Sequence, residues 1–111
     1  MRTYFDHEKL KVYQSAIRFV TWSTDLMTGV RARAAVKDQL DRASTSVPLN
    51  IAEGNGKMAI RDRCRFLDIA RGSALECAAC LDVLVAKKLL KKNRFALGKS
   101  SFWKSFRCWL A

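Results

Sequence analysis

Five cations carry the chemistry for which this chain is best equipped. Arg61, Arg65, Lys88, Lys91 and Lys92 stand on or beside one long helical pattern, and guanidinium and ammonium groups placed this way clamp phosphates. Arg61 and Arg65 are one helical turn apart, so they share a face. Such contacts hold a nucleic-acid backbone, RNA or DNA, without reading base identity. The surrounding charge agrees with this. Residues 1–56 carry eight Lys or Arg against six Asp or Glu, whereas residues 57–111 carry thirteen against four, so the formal charge of +11 belongs mostly to the second half. A field of that sign attracts polyanions through salt-sensitive forces, and it also suits an acidic protein partner.

The other reactive side chains form no working arrangement. Cys77 and Cys80 have the CxxC spacing of redox and metal sites, yet they sit in ALECAACLDVLV, where helical periodicity puts both near an apolar stripe. No second CxxC accompanies them, and no export signal favours disulfides, so reduced and buried thiols are expected. His7 is the only histidine, which leaves no Glu-x-x-His element for a metal site inside a bundle. Glu53, Asp62, Asp68, Glu76 and Asp82 lack the spacing of an acid–base pair, and no phosphate-binding glycine loop or nucleophile elbow is present. A protein without catalytic residues, cofactor or metal is expected, and a hydrolytic enzyme is the least favoured class.

The elements that must position the cations are helical. A length of 111 residues suits one domain over 1–111. No apolar stretch approaches the roughly 18 residues of a membrane span, and the opening MRTYFDHEKLKVYQ holds no signal-like block, so a cytoplasmic protein off the membrane is expected. Leu10, Tyr13, Ile17, Val20 and Thr24 predict a first helix from Asp6 or His7 to Thr28, ended by Gly29. Leu40, Ala43, Val47 and Ile51 predict a second from about Arg31 to Gly54, kinked at Pro48, with Gly54, Asn55 and Gly56 as a turn. Leu67, Ala70, Ala74, Cys77, Leu81 and Leu84 form a near-heptad stripe on a third, about Ala59 to Leu89, where Gly72, Ser73 and Ala74 are small enough for close helix approach. A fourth is expected after Asn93, carrying Phe95, Phe102, Phe106 and Trp109. The sum is an all-α, antiparallel four-helix bundle whose leftover apolar surface favours self-association.

KLKVYQSA at 9–16, QLDRASTSVPLNIAEGNGK at 39–57 and RFLDIARGSALE at 65–76 make the chain, over about 5–90, resemble the four-helix-bundle proteins encoded within intervening sequences of bacterial 23S ribosomal RNA genes. After about Leu90 the sequence diverges from that pattern. The resemblance implies a small cytoplasmic homo-oligomer, with a pentamer favoured, and a binding or scaffolding role. The wider group includes the accessory variability determinant proteins of diversity-generating retroelements, which implies a reverse transcriptase as an alternative protein partner. The family signature falls here on Arg42, Pro48, Asn50, Glu53, Gly54, Gly72, Ser73 and Glu76.

Overall fold

Apolar residues at three- and four-residue steps dominate the chain, and the backbone follows them into helices. The structure, a computed structural model, describes residues 5–30 and 34–92. A 3-10 turn over Asp6–Lys9 leads into α1 (Lys11–Thr28), α2 (Ala34–Asn55) and α3 (Ile60–Ala86). Among the described residues there are thus three α-helices, which corrects the expected four-helix bundle. Two physical features separate expectation from structure. The first pattern begins as a tight turn, because extended Leu10 interrupts it, and α3 is stopped at Ala86 by a defined cap. The fourth helix expected after Asn93 lies outside the described residues. The pentamer expected with a four-helix subunit falls with that subunit.

Each helix end has a local cause. Gly29 closes α1 with right-handed backbone, donating its N–H to the Leu26 carbonyl. α3 ends in a Schellman motif: the N–H of Lys88 bonds Val85 O and that of Leu89 bonds Leu84 O, each at 2.9 Å, with Lys88 at φ 60°. α2 remains one helix across Pro48, which is buried, so the proline removes a single backbone donor without ending the element.

α2 is the centre of the arrangement. Both α1 and α3 pack on it, and they do not pair with each other. Leu40, Ala43, Val47 and Ile51 of α2 are buried as expected, as are Ala70, Ala74, Cys77, Leu81 and Leu84 of α3. α1 differs. Its buried face is Val12, Ser15, Ala16, Phe19, Ser23 and Leu26, one register away from the expected stripe, and Ile17 is 42% exposed. The buried face thus mixes the large Val12, Phe19 and Leu26 with the small Ser15, Ala16 and Ser23. Their polar atoms are satisfied locally: Ser23 Oγ donates to Val20 O, and Ser15 Oγ accepts from Arg18.

Two glycines of the α2–α3 pair have opposite roles. A Cβ on Gly54 would stand 3.0 Å from Phe66 Cβ and 3.3 Å from the Arg63 carbonyl, so the missing side chain sets the closeness of the two helices. Gly72 faces open space with nothing within 4 Å, so it is not one of the small residues that let the helices meet. Gly54→Ala is therefore expected to destabilise the fold by roughly 1–3 kcal/mol. Gly72→Ala is expected to stabilise it by about 0.5–1 kcal/mol through helix propensity. Urea unfolding of both variants checks the opposite signs.

Candidate nucleic-acid interface

The cations follow from how α3 begins and ends. Arg61 and Arg65 occupy its first two turns, both exposed, on one face at four-residue spacing. Arg65 lies with its guanidinium 5.1 Å from the Phe66 ring centroid, and Lys57 places its ammonium 5.1 Å from the same ring. One aromatic side chain thus steadies two cations. Lys57 joins the group although the sequence reading passed over it; its position straight after the Gly54–Gly56 turn was the available signal.

Lys88, Lys91 and Lys92 are exposed beyond the other end of the helix. The 27 residues of α3 separate the two groups by roughly 40 Å at about 1.5 Å rise per residue. The five cations are therefore brought together in two clusters, not one. Lys88 holds the left-handed conformation that glycine usually fills at this cap position. Lys88→Gly is expected to stabilise the fold by about 1 kcal/mol while weakening polyanion binding. Thermal melting paired with a binding titration reads both effects.

The signature residues divide between packing and surface. Asn50 donates from Nδ2 to Ser46 O at 2.8 Å and to Ser46 Oγ at 2.9 Å, and Ser73 Oγ donates to the same Ser46 Oγ at 2.8 Å. Ser46 is thus the hub linking α2 to α3, a role hidden in the sequence because it is one hydroxyl in a serine–threonine run. Ser44 and Thr45 instead bond back to Asp41 O within α2. Glu76 accepts from Gln39 Nε2 at 3.0 Å, a second polar link between the helices. Pro48 and Gly54 are buried, whereas Arg42, Glu53 and Gly72 are exposed.

The remaining reactive groups are packed or scattered. His7 stands edge-on to Tyr13 with ring centroids 4.8 Å apart. Among the described residues, no group of three or more His, Cys, Asp or Glu is placed to hold a metal ion. No described helix is long and apolar enough to cross a membrane. Cys77 and Cys80 are buried on α3, and Cys64 is exposed. Burial, then the neighbouring Cys80 and Glu76, raises the Cys77 thiol from 9.0 to about 12, and burial followed by Glu76 moves Cys80 in the same direction. The unfolded Cys77 loses its proton near pH 9 and the folded one near pH 12, so its contribution to stability is intact below pH 9 and lost between the two. The urea midpoint should accordingly fall over that window, and less steeply in Cys77→Ala.

Residues 8–102 match the family described as 23S rRNA-intervening sequence protein, a span that runs past the Leu90 at which the residue-level resemblance stops. No curated protein matches the chain. Nothing in the match connects the chain with retroelement accessory proteins. The matched span takes in most of the 111 residues, so the chain belongs to the 23S rRNA intervening sequence protein family.

Proposed function

We propose that this protein is a self-associating, non-specific nucleic-acid-binding protein that holds a phosphate backbone along α3. One observation carries the reading: exposed cations gather at both ends of a single long helix, Arg61 and Arg65 beside the half-buried Lys57 at one end, Lys88, Lys91 and Lys92 at the other. An extended polyanion meets both ends at once, whereas a compact anion meets only one. Each phosphate contact releases condensed counterions, so affinity depends steeply on salt.

Self-association is supported by the outer side of α3. Ile69, Leu75 and Val83 are 46%, 52% and 42% exposed, and Gly72 leaves room between them. An apolar groove lined by Ala35, Val36, Ala79, Cys80 and Val83 continues this surface toward α2. Copies associating here would multiply weak phosphate contacts by avidity. The basic surface also favours a second reading, an adaptor for an acidic protein partner for which self-association provides only the platform. Light scattering on a size-exclusion column, at low and moderate salt, with and without mixed-sequence RNA duplex, separates the two. An oligomer that persists in salt and shifts with RNA at low salt supports the proposal. A protein that ignores RNA at both salt levels overturns it and leaves the adaptor.

A further inference from the structure

The corner between α2 and α3 exposes aliphatic side chains that the fold does not use. Met58 is 97% exposed and Ile60 77%. A residue that bare has almost no neighbours, so it projects from the molecule. The corner is secured without them: Gly56 N bonds the Ala52 and Glu53 carbonyls, Lys57 N bonds Gly54 O, and Gly54 closes against Phe66. Cations flank the two apolar residues along the chain. Lys57 precedes Met58, and Arg61 and Arg65 follow Ile60, with Asp62 the one acid between. Arg63 is turned back, donating to the Asn55 carbonyl at 3.5 Å.

The chemistry of the corner is therefore an apolar point within a cationic collar. A duplex offers phosphates on its outside and its largest apolar surface between stacked bases, and Met and Ile are among the side chains that proteins drive into that space. A projecting tip does not cradle a peptide. A membrane met tip-first would engage one cationic end of α3 and leave the other, some 40 Å away by helix rise, without a partner. A duplex lying along α3 satisfies both ends.

We propose that Met58 and Ile60 form a wedge that enters between base steps of a bound duplex while Lys57, Arg61 and Arg65 hold the flanking phosphates. The inference rests on the nucleic-acid reading above. Its test uses the full chain and a mixed-sequence duplex carrying a fluorescent adenine analogue that brightens when unstacked. Wild type should raise the fluorescence on binding. The double variant Met58→Ser with Ile60→Ser should keep its melting temperature, keep affinity within about threefold because phosphate contacts dominate, and lose the rise. Binding by wild type with no rise overturns the wedge alone, as does a rise that survives in the double variant. No binding by wild type overturns both the wedge and the nucleic-acid reading. Binding to phosphatidylserine vesicles that the double variant loses, with no unstacking of the duplex, assigns the tip to a lipid surface and overturns the wedge.

Discussion

Neutralising Lys88, Lys91 and Lys92 together to Gln should flatten the salt dependence of duplex binding. With six phosphate contacts the logarithm of affinity falls with that of salt at a slope of roughly −5.4 on a DNA duplex, and with three it falls at roughly −2.7. Between 50 and 200 mM salt that is the difference between about a 2,000-fold loss for wild type and about a 40-fold loss for the variant. Anisotropy titrations at four salt concentrations measure both slopes. All three lysines are exposed and lie beyond the end of α3, so the variant retains the core. An unchanged slope would show that this cluster does not touch phosphate.

Ile51→Ala should cost about 2–5 kcal/mol, a large part of the roughly 5–15 kcal/mol that holds a domain together. Ile51 is 0% exposed and sits on α2, the helix on which both α1 and α3 pack. Truncation there leaves a cavity in the core of the helix on which the other two pack. Ile17→Ala is the instructive counterpart. That side chain is 42% exposed on α1 and should cost under about 1 kcal/mol. Thermal or urea unfolding of the pair reads the difference. Equal losses would restore the α1 face that periodicity first suggested.

That contrast shows how far the sequence could be read. Periodicity located the buried faces of α2 and α3 because their core positions are held by Leu, Val, Ile, Cys and Ala at regular steps. It misplaced the α1 face because apolar residues recur on two adjacent faces of that helix, Tyr13, Ile17 and Val20 on one and Val12, Phe19 and Leu26 on the other, and the serines at 15 and 23 mask the buried one. The end of α2 was legible to within a residue or so, since Gly54, Asn55 and Gly56 punctuate the pattern, although Gly54 and Asn55 are still helical. Gly72 was misread as a packing residue because its small size was weighed without its position, which lies off the stripe of Ala70, Ala74 and Cys77. The helix count is three among the described residues, and the fourth helix read from the aromatics after Asn93 falls outside them. The last turn of α3 was not legible either, because a Lys in left-handed conformation is a stop that propensity does not announce.

The candidate interface divides in the same way. Charge asymmetry and the Arg61–Arg65 spacing were plain from composition, but not the separation of the cations into two ends, which depends on α3 running uninterrupted from Ile60 to Ala86. Nor was the packing of Lys57 and Arg65 on Phe66, because it requires the corner to fold back. Ser46 carried no signal of its role, since a hydroxyl that bridges two helices looks in sequence like one that bonds its own turn.

The central claim is that one polyanion spans both ends of α3, and duplex length tests it most directly. The two clusters lie roughly 40 Å apart, which corresponds to about 12 base pairs at about 3.4 Å each. Affinity for duplexes of about 8 and about 18 base pairs at one low salt concentration should differ at least tenfold after correction for the number of sites, because only the longer duplex reaches both clusters. Equal corrected affinities would contradict a two-ended clamp.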